Sequence, residues 1–158
     1  MTTKRALILY SVLLPAIFQA GLCAAEDDVA RNMARLRSNQ FEEREEATQS
    51  LIAAGERAVE AAKRAAGDEE LEVRVRGMRV LQGIAIAPEE TGARAAEEAL
   101  LEFTKSSDDA VAQMAMAMLH SAKQLRREEQ QKLIARLRTL GGVALFNDNG
   151  EVHRIDFE

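Results

Sequence analysis

One spacing constrains this chain more than anything else in it. Arg44, Ala47 and Leu51 stand at offsets 0, +3 and +7. Arg74, Gly77 and Leu81 repeat those offsets 30 residues on, and Ala112, Ala115 and Leu119 repeat them another 38 on. Positions three, four and seven apart share a face only on an α-helix. The small residue at +3 lets a second helix approach closely, and the large residue at +7 fills the space between the two. A second amphipathic stretch follows each time: Val59, Ala62 and Ala66, then Ala96, Leu100 and Phe103, then Leu133, Leu137 and Leu140. Units of this size cannot bury one apolar face alone, but stacked side by side they share a core. The spacing predicts three helical pairs, with Gly77 at a close helix–helix contact.

The intervening residues agree. From Glu26 to Gly141 the chain is built from Ala, Glu, Arg, Leu and Gln, which are good helix formers. Val29, Met33 and Leu36 give a first helix its stripe. Asn39 and Glu42 have capping-box spacing, in which each side chain serves an amide of the first turn. Glu42, Glu43, Glu45 and Glu46 follow at the start of the helix, where its dipole favours negative charge, so the acidic head reads as a helix start. Gly55 is placed to end that helix, and Pro88 to open a later one.

The stretches FEEREEATQSLIAAG and LEVRVRGMRVLQG share an acidic–x–Arg–x–x–small–x–x–x–Leu pattern, with Val73 before the arginine in the second and Glu43 in the first. They resemble the first helices of HEAT-like repeats, the armadillo-type helical solenoids. The likeness spans roughly residues 38–141 and weakens in DAVAQMAMAMLHSAK, where Ala112 stands in place of the arginine. It implies an all-α, short right-handed solenoid of antiparallel helix pairs with a role in protein–protein contact, and it implies no catalytic residues. The third unit is either a true repeat or a plain helical hairpin acting as a cap.

Residues 1–25 read as a leader: Lys4 and Arg5, an apolar run from Ala6 to Phe18, then QAGLCAA with Cys23 and Ala25 at the exit positions. Cleavage there starts the mature chain at Glu26 and exports it, to a periplasm or the extracellular space. The alternative is one uncleaved N-terminal transmembrane anchor, since Ala6 to Ala25 is about the ~20 residues a bilayer requires; membrane contact is expected only in that case. Acylation at Cys23 is a lesser variant, and Leu22 before it does not suit that pattern. The single cysteine leaves with the leader, so no disulfide is available to the mature protein.

Charge and composition narrow the partners. With 21 basic and 26 acidic residues the chain is acidic, and more so once Lys4 and Arg5 are removed. Nucleic-acid affinity is built chiefly from Lys and Arg, so nucleic acid is not the expected partner. With no Trp and with Tyr10 in the leader, only Phe41, Phe103, Phe146 and Phe157 remain to stack on a sugar or base. The expected partner is another protein.

Signals for chemistry are weak. His120 and Ser121 are adjacent, and neighbours on a helix point about 100° apart, so they form no nucleophile–base couple. His120 is expected to be partly buried and neutral. His153 has no companion at metal-ligand spacing. LFNDNGEVHRID places Leu145 and Asp156 where an EF-hand loop needs an acid and a bidentate Glu, so that match fails. Met114, Met116 and Met118 alternate at spacing two, so at least one must be exposed or at a seam. Arg74, Arg76 and Arg79, with Glu70 and Glu72 as neighbours, read as a solvated, salt-bridged face.

The chain therefore reads as a leader (1–25), a HEAT-like helical domain (26–141) and a C-terminal segment (142–158). The period changes after Gly141–Gly142, and VALF and VHRIDF flank NDNGE, so a small β-hairpin is expected, turning near Asn149–Gly150. Val152-x-x-Ile155-x-Phe157 also resembles the strand of a leucine-rich repeat. The functional expectation is a non-catalytic secreted interaction or scaffold module, without cofactor or metal. Its contact surface is expected on the second helices, at Arg57, Arg64, Arg94, Glu97 and Arg136. Two alternatives stand beside it: a capping or truncated part of a larger envelope repeat protein, and a carboxylate-dependent hydrolase.

Overall fold

A computed structural model describes residues 28–140 in full. It also describes the backbone of 142–146 and 152–157. The leader, the Asn149–Gly150 turn and every side chain beyond Leu140 lie outside the described residues, and with them the expected start at Glu26.

The described chain is mostly helical. Residues 28–35 form α1, followed by α2 (Phe41–Ala53), a 3₁₀ turn (Gly55–Ala58), α3 (Val59–Ala66), α4 (Leu71–Ile86), α5 (Glu90–Phe103) and α6 (Asp109–Thr139). The backbones of β1 (Gly142–Phe146) and β2 (Val152–Phe157) pair antiparallel, Gly142 opposite Phe157, with an irregularity between Leu145 and Phe146. Among the described residues no helix is long and apolar enough to cross a membrane.

The offsets define the core. Ala47, Leu51, Leu81 and Ala115 are fully buried, Gly77 and Ala112 are buried, and Leu119 packs against them half-buried. α4 is the central element: it touches α2, α3, α5 and α6. The α3–α4 contact is the closest. α3 offers alanines at 61, 62, 65 and 66, all buried, and Gly77 meets them. A Cβ built on Gly77 would lie 2.3 Å from the backbone nitrogen of Ala66 and 2.6 Å from the carbonyl carbon of Ala65. No L-residue side chain fits there without moving one helix. Gly55 sits at φ +60, a conformation glycine adopts at little cost, and turns the chain from α2 into α3.

Several expectations are corrected. The third helical pair is one helix: α6 runs unbroken through 31 residues, and its expected partner stretch is its own second half. Nothing between Asp109 and Leu140 breaks a helix, since the segment holds neither Gly nor Pro. Asn39 caps nothing. The N-cap of α2 is Gln40, without a side-chain cap, and Ser38 forms a turn ahead of it, its Oγ accepting from the Gln40 amide (3.1 Å) and donating to Glu43 (2.5 Å). Pro88 stands two residues ahead of α5, and its ring explains the extended Ala87 (ψ 150) that closes α4. His120 is exposed, because it faces away from α4 and α5. Met116 is exposed while Met114 and Met118 pack on the core, as the spacing requires.

Candidate functional site

The most organised group of polar side chains lies where α2 crosses α4. Arg76 sits on the inner side of α4 and is only 3% exposed. Its Nε donates to Glu72 (2.7 Å), and Nη1 donates to Glu45 on α2 (3.2 Å) and to the Thr48 hydroxyl (3.3 Å). The Phe41 ring stands 5.6 Å from its guanidinium carbon, and Arg44 lies 5.9 Å from the same ring. Arg44 Nε is 3.3 Å from Glu72, an ion pair without hydrogen-bond geometry, and Arg79 reaches Glu45 at 3.7 Å. The solvated arginine face expected on α4 is thus corrected at its centre. Arg76 is buried because α2 lies over it, and the sequence places α2 and α4 at no fixed angle.

This setting acts on the carboxyls. Glu72 is held below the usual glutamate range first by the Arg76 hydrogen bond, then by the charges of Arg76 and Arg44. Glu45 is lowered first by the Gln49 amide, with Arg76 and Arg79 adding to it. Both stay ionised at neutral pH, so neither is suited to deliver a proton as a general acid. The cluster clamps two helices together.

A second arrangement recurs at the entry to α2, α4 and α6. Ser38, Asp68 and Ser106 each accept, through a side-chain oxygen, the amide two residues on, at 3.0–3.2 Å. Each lies six residues before Arg44, Arg74 or Ala112. Arg44 reaches back to the Ser38 carbonyl (2.7 Å) and Arg74 to the Asp68 carbonyl (2.9 Å). The third turn has no such grip, since Ala112 carries no donor. These turns escaped the sequence reading, yet Ser/Asp at −6 from the recurring spacing was a visible signal. Arg37 spans two of them, pairing with Asp68 and with Glu70 (2.8 Å), so Glu70 serves Arg37 and not the α4 arginines expected. Asp68 is held low first by the Glu70 amide, then by Arg37 and Arg74.

The expected contact residues fall in different places. Arg94 and Glu97 line one open groove with Leu101, Leu119 and Lys123. Glu97 is engaged by Arg126 of α6 at 3.1 Å. Arg64 lies in another groove beside Lys63, Glu102 and Phe103, where Lys63 and Glu102 pair at 2.6 Å. Arg57 sits in the 3₁₀ turn and not on a second helix, facing Val29, Asn32 and Ser50. Arg136 is exposed on the far half of α6. Of the five, Arg94 and Glu97 are brought together in one groove.

Among the described residues no group of three or more His, Cys, Asp or Glu is placed to hold a metal ion. Comparison with protein families, with characterised proteins and with solved structures finds no match for this chain.

Proposed function

We propose that this chain is a non-catalytic interaction module, a short HEAT-like solenoid exported from the cell after cleavage before Glu26. The observation that carries the reading is the order of helix contacts: α2 touches α4, α4 touches α6, and α3 touches α5. Successive first helices and successive second helices lie side by side, as stacked helical pairs require. The recurring turn at Ser38, Asp68 and Ser106 supports the same periodicity. The contact surface in this reading is that of α3 and α5, with Arg64, Arg94 and Glu97 at its rim and Arg57 beside it. Immobilised mature protein is expected to retain a saturable protein partner from a native envelope extract. Arg64→Glu with Arg94→Glu weakens retention, while Arg127→Glu leaves it intact. Equal retention by all variants defeats the assignment of that surface. A mature mass that includes residues 1–25 defeats export by cleavage.

The C-terminal segment belongs to the same reading as a hairpin turning at Asn149–Gly150, packed as a cap on α6, which β1 contacts. Deleting residues 143–158 is expected to lower the melting temperature. Unchanged stability with lost association would instead assign it to strand addition on a partner. The capping-fragment alternative draws on one observation, the long second half of α6, where Leu133 and Leu140 are exposed. The hydrolase alternative has no such support.

A further inference from the structure

α6 is 31 residues, about 46 Å, whereas α4 is 16 residues, about 24 Å. It therefore overhangs the body that it packs against. Its last buried residue is Ala122. The stripe does not end there. Leu133, Leu137 and Leu140 lie 18 residues beyond Ala115, Leu119 and Ala122 respectively, which is about five whole turns. The face that α6 buries on α4 and α5 thus continues along the overhang in larger side chains, with Leu133 57% and Leu140 74% exposed. An apolar stripe of this kind on a helix surface marks a contact site.

Charge narrows the occupant. The overhang carries Lys123, Arg126, Arg127, Lys132, Arg136 and Arg138 against Glu128 and Glu129, a net of +4 in a chain whose total is −5. Two overhangs set against each other bring like charge together, which disfavours a symmetric α6–α6 pair. The opposite end of the molecule is its complement. α2 holds a groove lined by Phe41, Glu42, Glu45, Glu46, Gln49 and Arg35, and Phe41 is 58% exposed there; Arg35 pairs with Glu46 at 2.7 Å and Glu45 reaches Arg76 and Arg79, while Glu42 has no ion pair among the described residues. One end is apolar and basic, and the groove at the other is lined by three glutamates and one arginine beside Phe41.

We propose that the overhanging half of α6 docks on the acidic α2 face of a second copy of this chain, joining molecules head to tail. The contact continues the α2–α4–α6 succession from one molecule into the next. It is heterologous, so each molecule keeps one vacant end of each kind and the assembly is open-ended. It stands on the end faces alone and not on the partner-binding surface proposed above.

Sedimentation of the purified mature chain tests it. Mass is expected to rise with concentration without stopping at a dimer, and to fall on adding salt as the ionic part is screened. Leu133→Glu with Leu140→Glu removes one end, and Glu42→Lys with Glu46→Lys removes the other. Each double variant alone is expected to be monomeric with an unchanged helical spectrum. Mixed in equal amounts, they have one intact end each and form dimers only. The single substitutions Leu140→Gln and Glu42→Gln, milder at exposed sites, are expected to weaken association in the same directions and serve if a double variant fails to fold. A wild-type chain monomeric at every concentration overturns the proposal, whether its stripe is covered by its own C-terminal segment or by a lipid surface. A Glu42→Lys/Glu46→Lys variant that still dimerises overturns it in favour of a symmetric pair.

Discussion

Between Leu36 and Ala122 the core faces of the helices meet other helices; beyond Ala122 the stripe of α6 runs on for about five turns, and among the described residues no other helix buries it, with Leu133 and Leu140 exposed. The two regions carry the same periodic signal. Periodicity states which face of a helix is apolar, and it does not state what covers that face. In the first region, short helices fold back after Gly55, Gly67 and Pro88, and each return supplies a partner. In the second, no residue turns the chain, so the helix outruns its neighbours.

The largest effect expected from this comparison contrasts two leucines. Leu81 is fully buried between α4 and the elements around it, and Leu81→Ala should cost about 2–5 kcal/mol through lost burial and a cavity. Leu133 occupies the corresponding stripe on the overhang, and Leu133→Ala should change monomer stability by no more than about 0.5 kcal/mol. Denaturant unfolding of both variants at low concentration checks the pair. Equal costs would mean that the overhang is packed after all.

The next effect sharpens the packed side. Gly77→Leu forces a side chain against the Ala65–Ala66 backbone and should cost about 1–3 kcal/mol or more, since neither helix can yield without disturbing the other contacts of α4. Gly77→Ala should also destabilise, although alanine is the better helix former. An alanine variant that melts at or above the wild-type temperature would show that α3 and α4 separate easily.

These cases show how far the residues themselves disclose the fold. Ala47, Leu51, Gly77, Leu81 and Ala115 were legible because small and large residues at fixed offsets have one steric meaning on a helix. The unbroken α6 was not, because 18 residues make about five turns. A second helix and the continuation of the first then present the same stripe at Leu133, Leu137 and Leu140. Asn39 missed the N-cap position, which Gln40 holds, by a single residue, a resolution that spacing alone does not provide. Of the contact residues, Arg94 and Glu97 could be placed together from their spacing on one helix. The Arg76 clamp could not, since Glu45 and Thr48 are about 30 residues away and meet it only through the crossing of α2 and α4.

That clamp gives the smallest of the expected effects and the one that depends on pH. Glu45 and Glu72 have folded pKa values below their unfolded values, which lie near the ordinary glutamate value of about 4.3. A group depressed in this way contributes stability that is fully present above its unfolded pKa and is lost as pH falls through the folded one. Arg76→Met keeps much of the buried volume, removes the charge that holds Glu72 low, and takes one of the supports from Glu45. Replacing a buried charge with a well-packed apolar side chain often leaves stability near neutral pH little changed. The stability of the wild type relative to Arg76→Met is therefore expected to be constant from about pH 8 to about pH 5. It should then shift in favour of the variant as the two carboxylates take up protons below about pH 4.3. Melting curves of both proteins across that range decide the matter. A difference that stays flat down to pH values near 3 would mean that Arg76 is held by its packing under Phe41 and α2, and that its carboxylate partners add nothing to the crossing of the two helices.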